Sequence, residues 1–205
     1  MADLYLASRS PRRRELLKQI GVRFEPLITR LAAPRGPDVD EAVDADEAPA
    51  AYVERIAREK AQFGIQVLAM RSMLAKPLLS ADTVVTLDGA ILGKPADATE
   101  AAVFLRQLSG TTHEVRTSIA IAQAIGHKTQ LVQRTSVSQV KFKALTDEEI
   151  AHYVATGEPM DKAGAYGIQG YAGLFVERLE GSYTGVMGLP LYETAGLLRQ
   201  MGVKV

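Results

Sequence analysis

The spacing of apolar and polar positions changes period several times along the chain, and the changes mark out interleaved strands and helices. Residues 4–7 form a short apolar run that predicts a strand, leading directly into a helix over residues 11–20 whose apolar stripe is Leu16, Leu17 and Ile20. Ser10 stands at the N-cap position, Pro11 at the first helical position, and Gly21 where a left-handed residue closes a helix. Residues 29–49 show no period and are rich in Pro, Gly, Asp and Glu, so they predict a long loop. A helix is predicted from Pro49 to Gly64. Residues 78–87 then predict a strand, with Asp88-Gly89 as a tight hairpin into Ile91 and Leu92.

The alternation continues to the end of the sequence. Asp97 with Glu100 has the spacing of a capping box, for a helix ending near Gly110. Residues 115–125 and 131–142 predict two long strands around Gly126-His127. Thr146 with Glu149 predicts a second capping box, for a helix stopping near Gly157. A glycine-rich run, two short strands around Gly181-Ser182 and a helix from Pro190 to Gln200 complete a mixed α/β pattern without internal repeats.

The chain has 205 residues, 47% of them hydrophobic, enough for a substantial core in a single domain spanning 1–205 or in two fused lobes. Lysine plus arginine equal aspartate plus glutamate at 24 each, so no global field favours nucleic acid or an anionic membrane, and affinity for anions must be local. Cysteine is absent, which removes thiolate nucleophiles, thiolate metal sites and disulfides together. An acidic residue before the first apolar run and a basic cluster after it are the reverse of a secretory signal. With no apolar stretch near the ~18 residues of a membrane helix, the expectation is a cytoplasmic protein.

Candidate chemistry begins where Ser8, Ser10, Arg12 and Arg13 crowd the first turn of the first helix. Free N–H donors and guanidinium groups make such a turn a site for phosphate oxygens, whereas a merely solvated basic helix start opposes the helix dipole. Successive positions are ~100° apart, so Arg12 and Arg13 are the expected ligand contacts and Arg14 is left to solvent. Lys60 shares a helix face with Val53, Ile56 and Ala57, so its amine either snorkels at the core edge or finds an anionic partner. Asp82 interrupts an otherwise apolar strand; it is either a metal ligand or general base, or a carboxylate satisfied by backbone N–H groups. Asp40-Glu41 could join Asp82 around a hard divalent cation, or could simply be solvated. Lys94 sits in a Gly-Lys-Pro turn. In the glycine-rich run from Gly164 to Gly173, Lys162, Tyr166 and Gln169 remain as polar readers, Gln169 offering both a donor and an acceptor to a base edge. The three histidines fall in no ligand spacing.

Four blocks, SRSPRRRELL at 8–17, SADTVV at 80–85, GKP at 93–95 and DKAGAYGIQG at 161–170, resemble the Maf nucleotide pyrophosphatases. The resemblance covers nearly the whole chain. It implies an elongated α/β fold of the Maf and inosine-triphosphatase type: a curved mixed central sheet, flanking helices and two lobes around a cleft. It also implies magnesium-dependent attack by water at the α-phosphorus of a nucleoside triphosphate, releasing pyrophosphate; manganese or cobalt could replace magnesium. Carried over by position, Asp82 is the implied proton acceptor and, with Glu41, the implied metal ligand pair. Arg12, Thr83 and Gln169 fall on selectivity positions, and Ser8, Ser10, Arg12, Arg13, Lys60 and Lys94 on phosphate-contact positions. The Arg12, Thr83 and Gln169 combination resembles the dTTP/UTP branch, the alternatives being 7-methyl-GTP or another modified nucleotide, or a non-catalytic regulator of cell division. A homodimer is implied, with neither nucleic acid nor membrane as partner. Residues 30–47 form an acidic, proline-rich insertion relative to shorter family members.

Overall fold

In a computed structural model, residues 2–28 and 39–205 are described. The chain order is β1 (Leu4–Leu6), α1 (Pro11–Gln19), β2 (Phe24–Pro26), α2 (Pro49–Met70), β3 (Leu78–Leu87), β4 (Ala90–Leu92), α3 (Ala98–Leu108), β5 (Thr112–Ile125), β6 (Lys128–Phe142), α4 (Asp147–Ala155), β7 (Val176–Glu180), α5 (Tyr183–Val186) and α6 (Leu191–Gln200). Three short 3-10 turns lie between α4 and β7. The strands form one mixed sheet in the order β2-β1-β3-β5-β6-β7, with β4 paired to β3. β1 is parallel to β2 and β3, while β3–β4 and β6–β7 are antiparallel. No described helix is long and apolar enough to cross a membrane.

By contact density the chain divides into two compact units. The first comprises Met1–Asp82, Thr117–Thr135 and Gly188–Val205. Its core joins Tyr5 of β1, Leu78 of β3, Ala120 and Ala122 of β5, and Ala57, Ala61, Val67 and Leu68 of α2. Helix α2 runs past the expected end at Gly64 to Met70. Gly64 serves packing instead, since a Cβ there would stand 2.5 Å from Leu78 Cδ1, so the missing side chain leaves the space that the Leu78 side chain fills. Strand β2, which the sequence did not announce, is three largely exposed residues whose order comes from parallel pairing with β1. Of the expected loop 29–49, residues 29–38 lie outside the described residues, and 39–48 contain no helix or strand.

The second unit comprises Thr83–Arg116 and Ser136–Met187. The Asp88-Gly89 turn closes the β3–β4 hairpin, with both residues at positive φ (50° and 82°). At α3, Asp97 caps the Glu100 N–H, but the Glu100 carboxylate reaches back to the N–H of Ala96 rather than of Asp97. At α4 the Thr146–Glu149 box is complete. Of the two short strands expected around Gly181-Ser182 the first is present as β7, ending at Glu180, but the second is replaced by α5, which Ser182 caps by accepting from the Gly185 N–H at 3.0 Å.

An aromatic cluster fills this second core. The rings of His113 and Tyr166 meet Phe142 edge-on, with centroids 5.0 and 4.8 Å away. His113 Nε2 and Tyr166 Oη are 2.9 Å apart, so Tyr166, expected to be a polar reader, is a core residue. Burial pushes the His113 imidazole down to about 4 from an ordinary 6.5. The native state therefore takes up this proton at lower pH than the unfolded chain does. The stability tied to neutral His113 is fully present above about pH 6.5 and is lost as pH falls toward 4. We expect urea unfolding to show roughly 3 kcal/mol of this loss, with the slope flattened in His113→Gln; equal slopes in both proteins would exclude His113 as its source.

Candidate functional site

Helix α2 and strand β3 build the centre of the site. Val53, Ile56 and Ala57 are fully buried, which turns the same face of α2, and with it Lys60, toward the sheet. Ser80 is also fully buried, and its hydroxyl donates to the Ala57 carbonyl at 2.6 Å. Two residues along a strand return to the same face and three along a helix nearly so. The Ser80–Ala57 bond therefore sets the pair that follows it, Asp82 and Lys60, at 2.8 Å from Oδ1 to Nζ. Their side chains are only 14% and 22% exposed, so the pair is substantially desolvated.

Lys60 is shared. Its Nζ also lies 2.7 Å from Glu41 Oε1, so one ammonium bridges two carboxylates from separate segments. The segment carrying Glu41 is tied down by α2 itself. Tyr52 Oη donates to the Glu41 carbonyl at 2.9 Å, Arg55 donates to the Ala42 carbonyl at 2.9 Å, and Arg55 grips the Glu47 carboxylate with two bonds of 2.7 Å. Burial first, then the charges of Asp82 and Glu41, push the Tyr52 hydroxyl up to about 12.

Helix α1 adds the third cation. Ser10 caps its first turn as expected, accepting from the Arg13 N–H. The Arg13 guanidinium donates to the Gly188 carbonyl at 2.7 Å, the Ala81 carbonyl at 2.8 Å and Ser8 Oγ at 3.3 Å. It thus holds the backbone immediately before Asp82. Burial lowers its pKa from the usual arginine range, while the Asp82 and Glu41 charges pull the other way. Arg14 is not left to solvent; it is half-buried and lines a hollow of about 670 Å³ with Lys18, Arg23 and Phe24.

Within the second unit, the Gly93-Lys94-Pro95 turn and the glycine-rich run are joined by the Gly164 N–H donating to the Gly93 carbonyl at 3.0 Å. A Cβ at Gly164, where φ is +66°, would stand 2.8 Å from a Val85 methyl. Lys94 and Gln169 are exposed, and among the described residues neither side chain makes a hydrogen bond or ion pair with protein. Thr83, half-buried, opens the stretch of β3 that belongs to this unit.

The structure thus joins Glu41, Lys60 and Asp82 by ion pairs, ties Arg13 to Ser8 and to the backbone next to Asp82, and sets Arg12 on the same helical turn as Arg13. Thr83, Lys94 and Gln169 lie in the other unit. Ser80, Tyr52 and Arg55 escaped the sequence reading. A hydroxyl two residues before a strand carboxylate was the available signal for Ser80, whereas nothing local marks Arg55 as the clamp on Glu47.

Among protein families, the model described as "Maf-like protein" matches residues 3–201. A protein of Aromatoleum aromaticum named dTTP/UTP pyrophosphatase is 57% identical over 203 residues, covering 98% of this chain and 96% of its own length. Similar proteins of the same name in Dechloromonas aromatica and Chromobacterium violaceum are 53% and 52% identical, each over 98% of this chain and over 98% and 96% of their own lengths.

If the Lys60–Asp82 contact is energetic as well as geometric, Lys60→Met, Asp82→Asn and the double variant should be non-additive in urea unfolding. The expected coupling is about 1 kcal/mol or more. Additive losses would show that the two groups do not sense one another.

Proposed function

The chain belongs to the Maf-like protein family, and on that premise we propose that it hydrolyses dTTP and UTP to the monophosphate and pyrophosphate, residues 1–205 acting as one functional domain. The observation that carries this reading is the Asp82 carboxylate held by Lys60 beside Glu41 and the Arg13-pinned strand. The names of relatives more than half identical over almost their full lengths give the substrate.

Asp82 is the proposed proton acceptor. A carboxylate fixed by Lys60 and by the strand behind it would orient a water for in-line attack at the α-phosphorus and take its proton. The bond to the bridging oxygen then breaks, and charge builds up on the departing pyrophosphate. Lys60, Arg13 and Lys94 are the groups proposed to meet it, with Ser8, Ser10 and Arg12 as further phosphate contacts.

Arg12, Arg13, Lys60 and Lys94, set against Asp82 and Glu41, leave fewer positive charges than a triphosphate carries negative ones. This supports a divalent cation. Asp82 and Glu41 fit one, because each already presents a carboxylate oxygen to the same positive centre. Magnesium is usually held by one or two carboxylates together with water and substrate phosphates, a demand that two carboxylates can meet. When bound, the ion would polarise the phosphoryl oxygens and offset their charge. Manganese or cobalt could fill the same oxygen donor set.

Gln169, exposed and with its amide unpaired among the described residues, is proposed to read the pyrimidine edge, with Arg12 and Thr83 sharing selectivity. A cytoplasmic homodimer belongs to the same proposal, and sedimentation velocity would show whether the chain dimerises.

Pyrophosphate release should be led by dTTP and UTP across a panel with CTP, GTP, ATP and 7-methyl-GTP, and Asp82→Asn should lower kcat by about 10²–10⁴-fold. Nucleotide binding by that variant, followed calorimetrically, should persist. Near-normal turnover in Asp82→Asn would remove it as the base. Turnover led by 7-methyl-GTP would reassign the substrate, and none with any nucleotide would favour a non-catalytic role.

A further inference from the structure

Gln169 occupies the third position of a four-residue turn, Gly167-Ile168-Gln169-Gly170, closed by the Gly170 N–H donating to the Gly167 carbonyl at 3.0 Å. Ile168 points into the core and is 8% exposed. An exposed glutamine on a glycine-flanked turn would ordinarily sample many orientations. Here both sides of the turn are anchored on one pair of side chains. The Gly167 N–H donates to Tyr153 Oη at 3.2 Å, and that hydroxyl donates to Glu158 Oε1 at 2.9 Å. The other carboxylate oxygen, Glu158 Oε2, accepts from the Tyr171 N–H at 3.2 Å. Backbone amides two residues before and two residues after Gln169 therefore lead to a single carboxylate.

The brace is itself well held. Tyr153 is fully buried, its ring stacked on Tyr171 at 5.8 Å and edge-on to Phe175 at 5.3 Å. The Glu158 N–H donates to Thr156 Oγ1 at 3.1 Å, and its carbonyl accepts from Lys162 Nζ. A Cβ at Gly170 would stand 2.2 Å from Glu158 Oε1, so glycine is required there for the carboxylate to lie against the turn. The expected base-facing role of Lys162 is replaced by this one, since its ammonium is committed to Glu158 and Asp161.

We propose that Tyr153 and Glu158 are positioning residues for nucleobase selection: they fix the 167–170 turn so that the Gln169 amide meets the base in one orientation. The inference rests on the reading of Gln169 as the base contact. Neither side chain needs to touch the substrate. Their contribution is to remove orientational freedom before binding, which raises affinity for the matching base edge and leaves the phosphate chemistry alone.

The test compares Tyr153→Phe, Glu158→Gln and Gln169→Ala in pyrophosphate release from UTP and CTP, with thermal unfolding of each. Tyr153→Phe keeps the ring packing and removes the hydroxyl; Glu158→Gln keeps the shape but leaves one acceptor where two are used. Both should raise KM for UTP about tenfold, as the loss of one buried hydrogen bond would give, with kcat within about twofold of the parent. Both should also shrink the UTP-to-CTP ratio of kcat/KM toward that of Gln169→Ala. Adding Tyr153→Phe to Gln169→Ala should cost no further discrimination. A purely structural role would instead lower the unfolding temperature and scale activity on both nucleotides equally, leaving the ratio intact and overturning the proposal. If Gln169→Ala collapses the ratio while both brace variants keep it, the brace alone is refuted. If Gln169→Ala itself keeps the ratio, the base-reading role falls and the brace role with it.

Discussion

A single ammonium group organises the first unit. Lys60 stands on a helix face that is otherwise apolar, where an unpaired charge would be costly. Its two carboxylate partners relieve that cost, and each constrains a different part of the chain: Asp82 a strand in the sheet, Glu41 a segment without regular structure. The Ser80–Ala57 bond and the Arg13 contact with the Ala81 carbonyl limit movement on either side of Asp82. A buried pair of this kind is weak evidence for stability, because desolvation offsets much of the Coulomb attraction. Its significance lies in holding a carboxylate in one place.

The two units differ in how they fix their polar groups. In the first, ionic contacts converge on Lys60. In the second, neutral or singly charged groups are threaded through aromatic packing, as with His113, Tyr166 and Phe142 in the core and Tyr153 under Tyr171 at the turn. Glycines at 164 and 170 admit a Val85 methyl and the Glu158 carboxylate to within distances no side chain would allow. The glycine-rich run is therefore a close-packed segment, and its composition reflects contacts made as well as freedom granted.

What was legible in the sequence was local or periodic. Ser10, the Thr146–Glu149 box and the Asp88-Gly89 hairpin announce themselves because cap and partner lie within a few residues. Lys60 was visible from its helical phase and Asp82 from its interruption of an apolar strand. Their pairing with each other and with Glu41 was not legible, because it depends on how α2 lies against β3. Gly64 looked like a helix end because the same residue type serves as terminator and as packing gap, and only Leu78 distinguishes the two. Tyr166 looked like a reader because a phenol can face water or the core, and the deciding neighbour, His113, is distant in sequence. Strand β2 has no pattern of its own to read.

Helix α2 carries Tyr52, Arg55, Ala57 and Lys60 within little more than two turns, and each reaches a different anchor: the Glu41 carbonyl, Glu47, Ser80, and the carboxylate pair. Inserting or deleting one residue inside this stretch would turn everything beyond it by ~100° and swing Lys60 away from its partners while Tyr52 stayed in place. The outward face of the helix is free to drift by substitution, but the count of residues between Tyr52 and Lys60 is not. Over evolutionary time this stretch should accumulate replacements and almost no changes in length.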